Sequence, residues 1–152
     1  RHTVTGIISM YTPRNWDKKF LGFPLKDVSI ALIGQFGSGL PYTPTNSLNE
    51  RLNGLPNSAR LPALFDLDLR FHKRFRMGKT SYTFFTEVEN LLNRRNVINV
   101  YSNTGSPVDD GYTLETLANR TPERTRLRRL FSLDPQNFSP PREIRVGFEV
   151  TF

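Results

Sequence analysis

The sequence predicts an all-β fold of antiparallel, up-and-down strands. Three observations carry that prediction. Apolar and polar residues alternate with period two in five separate segments, the mark of strands whose two faces meet different surroundings. Helical periodicity is nearly absent, and the connections between segments alternate between shorter and longer.

The first strand, about 3–11, places Val4, Ile8 and Met10 on one face and Thr3, Thr5 and Ser9 on the other. The second, 28–37, sets Val28, Ile30, Leu32 and Phe36 against Ser29, Ala31 and Gln35. The third, 64–75, is the clearest: Phe65, Leu67, Leu69, Phe71 and Phe75 alternate with Asp66, Asp68, Arg70, His72 and Arg74. In the fourth, Tyr82, Phe84, Thr86 and Val88 oppose Ser81, Thr83, Glu87 and Glu89, with Phe85 an apolar exception on the polar side. We expect this strand, 80–92, to extend to 101. The fifth, 143–152, sets Ile144, Val146, Phe148, Val150 and Phe152 against Arg145, Gly147, Glu149 and Thr151. Helical signals are confined to Thr121-Pro122-Glu123, an N-cap followed by a first-turn proline and acid, leading into Arg124 to Leu130.

Composition narrows the function classes. Of 152 residues, 44 are Leu, Ile, Val or Phe, so the chain is not a disordered tail. A net charge of +7 attracts anions of any kind and selects none of them. The absence of Cys excludes disulfides, thiolate zinc sites and a Cys nucleophile. With two His in the chain, a His-rich metal site is not expected, and His72 is read as a polar face residue. No apolar run approaches the roughly 18–20 residues of a spanning helix, and no secretory leader opens the chain, which begins in mid-strand. We therefore expect a C-terminal fragment of a longer protein. The glycines from Gly34 to Gly39 match no phosphate-binding spacing, and Pro41 and Pro44 block the helix such a loop requires. The carboxylates Asp66, Asp68, Glu87 and Glu89 share a strand face with Arg70, Arg74 and Arg145, so ion pairing is expected in place of acid–base catalysis. No enzyme activity and no cofactor are expected.

The connections give the strands a direction. Segments 12–27 and 76–79 are the shorter links, and 38–62 and 103–142 the longer ones. In an up-and-down meander the shorter links fall at one end and the longer at the other. Outer-membrane barrels combine tilted strands of about 9–11 residues, an apolar outer face, a polar lumen, short periplasmic turns and long external loops. A lumen wall of Asp66, Asp68, Arg70, His72, Arg74, Glu87, Glu89, Arg145 and Glu149 follows, since these side chains are costly against lipid. Tyr11, Trp16, Phe20, Phe23, Tyr42 and Tyr101 lie near strand ends, where interfacial aromatics gather. A soluble sheet with one buried face gives the same alternation.

The ending Arg142-Glu-Ile-Arg-Val-Gly-Phe-Glu-Val-Thr-Phe152 resembles the C-terminal signal of bacterial outer-membrane proteins. Further segments resemble the C-terminal barrel of TonB-dependent receptors: Arg1-His2-Thr3 opening a strand, Gly37-Ser-Gly-Leu-Pro-Tyr-Thr-Pro44, Phe65-Asp-Leu-Asp-Leu-Arg70 with Lys73-Arg-Phe75, Glu87-Val-Glu-Asn-Leu-Leu-Asn-Arg-Arg-Asn-Val97, and Asp134-Pro-Gln-Asn-Phe-Ser-Pro-Pro before Arg142. The similarity covers essentially the whole chain, in order.

The resemblance implies that residues 1–152 are about the last five strands of a large plugged barrel in the bacterial cell outer membrane. Ile144, Val146, Phe148, Val150 and Phe152 would be read by the barrel-assembly machinery. Lipid and lipopolysaccharide would surround the barrel, and the plug domain and TonB, both outside this segment, would be its partners. Candidate contacts to an imported solute are Tyr42, Arg120, Arg124, Arg126, Arg128 and Arg129, in the loops 38–62 and 103–142. The solute stays open among ferric siderophore, cobalamin, glycan and peptide. The rival from another class is a small soluble basic antiparallel β protein that binds nucleic acid or another anionic ligand. Nucleic-acid-binding sheets place aromatics and Arg on one face, whereas Phe65, Phe71 and Phe75 alternate away from Arg70 and Arg74, so no nucleic acid is expected.

Overall fold

The computed structural model describes residues 2–46, 50–52, 54–111, 122–123, 126–127, 130 and 133–152. Nine strands occur among them: β1 (Thr3–Tyr11), β2 (Lys19–Phe20), β3 (Phe23–Pro24), β4 (Val28–Gly37), β5 (Pro41–Tyr42), β6 (Ala59–Arg60), β7 (Leu64–Met77), β8 (Thr80–Glu89) and β9 (Glu143–Thr151). The five long strands form one sheet in the order β1-β4-β7-β8-β9, each beside its predecessor among the long strands. The fold is all-β and mostly antiparallel. Two short hairpins, β2–β3 and β5–β6, lie within connections whose alternation is too brief to announce them.

Register is uniform along the sheet. Thr12 N–H donates to Val28 O at 2.8 Å, and Gly6 lies opposite Gly34; both number pairs add to the same total, the mark of an antiparallel ladder. The same holds for Asp27 with Arg74 and for Gly34 with Leu67. β7 pairs with β8 from Leu69↔Val88 to Met77↔Thr80, and β8 with β9 from Ser81↔Thr151 to Glu89↔Glu143. Because side chains alternate with period two, a constant register carries one face unbroken across all five strands.

Two boundaries differ from the sequence expectation. β7 runs to Met77, leaving Gly78 (φ 63°) and Lys79 as a two-residue turn, the positive φ at the first position suiting the twist of a tight hairpin. β8 ends at Glu89 and does not extend to 101. Asn90 and Asn93 both take left-handed backbone (φ 51°). The Asn90 side chain also accepts from Arg94 N–H at 2.9 Å and donates to Arg94 O and Pro140 O. These local bonds replace the ladder, as Asn side chains do in turns.

The chain divides into two compact units. One, 4–35, 65–94 and 140–152, holds nearly all of the long sheet. Its only buried apolar residue among those described is Val88. The other unit, 1–3, 36–64 and 95–139, holds β5 and β6 and buries Leu61 and Val100. In it Gly39 allows a close approach of backbone, since a Cβ there would stand 2.8 Å from Pro62 O and still closer to Leu61 O. Leu61 N–H donates to Leu40 O at 2.9 Å across this contact. A 3₁₀ turn, Pro135–Asn137, is capped by Asp134, whose carboxylate accepts from Gln136 N–H. Pro122, Glu123, Arg126, Leu127 and Leu130 are helical.

Candidate functional site: the two faces of the sheet

The sheet is one layer with chemically opposite faces. On the first lie Val4, Ile8 and Met10 of β1, Ile30 and Leu32 of β4, Leu67, Leu69 and Phe71 of β7, Tyr82, Phe84 and Val88 of β8, and Ile144, Val146, Phe148 and Val150 of β9. Much of this apolar face is open. Ile144, Val146 and Phe148 are 61%, 61% and 60% exposed, and Phe152, just past β9, is 97% exposed. Tyr82 and Phe148 stack with ring centroids 5.8 Å apart.

The break in this face is Lys73. It occupies an apolar-side position of β7, opposite Phe84, and is only 3% exposed. Its ammonium donates to Pro24 O at 2.8 Å and to Lys26 O, and sits 5.2 Å from the Phe75 ring centroid. Two carbonyls and an aromatic face thus take the place of water around a buried cation. The sequence signalled this position only as a gap, the one residue missing from the odd-numbered apolar series of β7.

The opposite face carries the charged ladder. Register aligns Arg70, Glu87 and Arg145 in one row across β7, β8 and β9. Arg70 Nε stands 3.9 Å from Glu87 Oε1, and Arg145 Nη1 is 3.9 Å from Glu87 Oε2. Arg145 approaches Glu89 more closely at 3.1 Å, and Glu143 most closely at 2.7 Å. All these side chains remain substantially exposed, so water and salt screen the pairs and each adds little to stability. Asp68 Oδ1 accepts from Asn90 N–H at 3.0 Å, at the point where β8 ends. Asp66 lies on the same face of β7.

The next rows mix aromatic and charge. His72 opposes Phe85, which opposes Gly147. The Phe85 ring meets His72 edge to face at 6.2 Å and covers Gly147, where a Cβ would come within 2.9 Å of ring atom Cε2 and closer to Cζ. Phe85, the apolar exception on the polar face, therefore has a place made for it by a residue without a side chain. Arg74, Thr83 and Glu149 form the following row. A cavity of about 330 Å³ lies here, lined by Tyr11, Asp27, His72, Arg74, Phe85 and Glu149 among others.

The loop candidates are not brought together by the described residues. Tyr42 pairs with Ala59 in the β5–β6 hairpin, and its hydroxyl would meet a Cβ on Gly105 at 2.5 Å. Arg126 is exposed on helical backbone. Arg120, Arg124, Arg128 and Arg129 lie outside the described residues. Residues that sequence reasoning did not single out are the buried asparagines Asn90, Asn96 and Asn137. Asn96 N–H donates to Ser139 Oγ at 3.2 Å, Ser139 N–H to Asn96 O at 2.8 Å, and Asn137 Nδ2 to Pro107 O at 2.9 Å. Val97 bridges Phe138, over whose ring Arg95 lies at 5.9 Å. The Asn-rich stretch after β8 and the stretch before β9, more than forty positions apart, are in fact bonded partners.

No helix among the described residues is long and apolar enough to cross a membrane, which says nothing of crossing by strands. No group of three or more His, Cys, Asp or Glu among them is placed to hold a metal ion. No family profile, curated protein or solved structure matches the chain.

Proposed function

We propose that this chain forms the C-terminal strands of a TonB-dependent receptor of the bacterial outer membrane, a transporter that binds and imports a scarce solute. The observation that carries the reading is the apolar face shared by five hydrogen-bonded strands, half-buried on β4, β7 and β8, open on β1 and β9, and broken at Lys73. A water-soluble sheet gains its stability by covering such a face. Hydrocarbon supplies the cover when strands close into a barrel, and closure also removes the unpaired edges at β1 and β9.

Three further features support it. The polar face holds Asp66, Asp68, Glu87, Glu89, Glu143 and Glu149 against Arg70, Arg74, Arg76 and Arg145, a near balance suited to a wet lumen that receives a plug domain. The same balance counts against the soluble nucleic-acid-binding reading, which needs a basic surface. Lys73, the cation on the apolar face, stands near the turn end of its strand, where charge is cheap, and is sealed by carbonyls. Finally, the shorter connections alternate with the long ones in the meander, as periplasmic turns alternate with external loops.

In this reading Phe148, Val150 and Phe152 face lipid and present the assembly signal, while the loops 38–62 and 103–142 contribute to solute binding. The solute remains one of the four classes named above. The test is fractionation of source cells, with antibody to this segment and boiled and unboiled samples run side by side. An outer-membrane band several times larger than 17.5 kDa whose mobility shifts on boiling is expected. A soluble band of 17.5 kDa with no shift overturns the reading and favours a small basic β protein.

A further inference from the structure

We infer that the turn end of the apolar face is a binding site for an anionic glycerophospholipid, with its phosphate at the 12–27 connection and its acyl chains along the strands. The inference rests on the membrane reading above and goes beyond it by assigning a specific lipid site. A cavity of about 600 Å³ opens there, within the range of small-molecule sites. Arg14, Lys26 and Asp27 line it from the connection, and Phe75, Tyr82 and Phe148 from β7, β8 and β9.

Two chemistries meet in this space. Arg14 and Lys26 are exposed, with ammonium and guanidinium groups able to turn towards an anion. The Lys73 ammonium also borders the cavity, but it is committed to Pro24 O and Lys26 O. Arg74 and Arg76 also line the cavity, so five cations stand against one carboxylate, Asp27, and the site attracts an anion. From the strands, Phe75, Met77 and the Tyr82–Phe148 stack give the cavity an apolar side, with the positive charge of Arg74 and Arg76 of β7 at its edge. An occupant must therefore be an anion at one end and hydrocarbon at the other. Inorganic phosphate satisfies only the first demand and a neutral detergent only the second. The surroundings suit a membrane boundary, since Trp16 lies in the same connection with the Lys18 ammonium 5.6 Å from its ring centroid. Basic pockets at such depths are where lipid headgroups lodge.

The experiment uses the full-length protein that carries this segment, extracted in neutral detergent, stripped of lipid and offered phosphatidylglycerol or phosphatidylcholine in mixed micelles, with retained lipid counted by native mass spectrometry. Phosphatidylglycerol is expected to be retained in preference to phosphatidylcholine. The double variant Arg14→Ala, Lys26→Ala should lose about thirtyfold of that retention, from two cations near the headgroup. Lys26→Glu alone removes the same two units of charge at one position and serves if the double variant assembles poorly. Equal retention of both lipids, unchanged retention in the variants, or displacement by millimolar inorganic phosphate would each overturn the inference. The heat shift of the same preparations separates the two levels: a shifting barrel without lipid preference sinks the lipid site alone, and no shift sinks the membrane reading beneath it.

Discussion

Gly147 and Phe85 illustrate how single positions govern the polar face. With Cζ and both Cε atoms of the ring under 3.0 Å from where a Cβ would stand, Gly147→Ala forces the ring out of its seat over β9 and away from His72. We expect about 1–3 kcal/mol of destabilisation, the usual cost of overpacking. In a Phe85→Ala background the same substitution should cost much less, because the obstruction is gone. The thermal midpoint of unfolding, measured for both single variants and the double, reads the coupling; additive effects would mean that the ring is not what Gly147 accommodates. Tyr101 offers a pH-dependent case. Burial, then the negative charges of Asp134 and Asp110, push its phenol above the ordinary tyrosine value, partly offset by a hydrogen bond with Asn137. The folded state therefore holds this proton more tightly than the unfolded chain. Its stabilising contribution is complete below the ordinary pKa of about 10 and is lost as pH rises through the raised value. Tyr101→Phe should remove that part of the alkaline loss, as seen in thermal midpoints compared between pH 8 and 12.

At the scale of elements, the five long strands were legible because each keeps one period over nine or more residues. The end of β8 was not. Leu91, Leu92, Val97, Ile98 and Val100 supply apolar residues enough to suggest a longer strand, yet the conformation is decided by Asn90. Its side chain ties Arg94 and Pro140 together while its own N–H is taken by Asp68, and such pairings over long sequence separations leave no periodic trace. The ion pairs were legible only as a set. Alternation put Arg70, Glu87 and Arg145 on one face, but only register made Glu87 their shared partner and brought Arg145 to Glu89, while its nearest partner, Glu143, lies two positions back on β9 itself. Lys73 likewise appears in the sequence as an interruption, and its two carbonyl partners come from a connection with no pattern of its own. Asn90→Ala removes the side-chain bonds and also disfavours the left-handed backbone, so a loss of about 2 kcal/mol or more is expected. Asn90→Gly keeps the backbone and loses only the bonds. Protease cleavage after β8 should therefore rise more for Asn90→Ala than for Asn90→Gly; equal cleavage would mean that the backbone angle contributes nothing.

For the whole molecule the controlling fact is that the sheet has two edges. β1 and β9 each have one neighbour among the described strands, and unpaired edges beside an exposed apolar face favour aggregation. Within the barrel reading both edges find partners in the rest of the protein, and β9 must reach its partner with its apolar side chains turned to lipid. Phe152 stands at the tip of that row, two positions beyond Val150 and almost fully exposed, so it stabilises little within this segment. Its removal should accordingly have a small effect on the sheet and a large effect on assembly. Deletion of Phe152 from the full-length protein is expected to lower the amount of heat-shifting barrel in the outer membrane several-fold. The same deletion should leave the thermal midpoint of the barrels that do form nearly unchanged, within about 0.5 kcal/mol as for surface changes generally. The two readouts separate a role in assembly from one in stability. Normal outer-membrane levels would remove Phe152 as an assembly signal, and a large drop in midpoint would make it a packing residue instead.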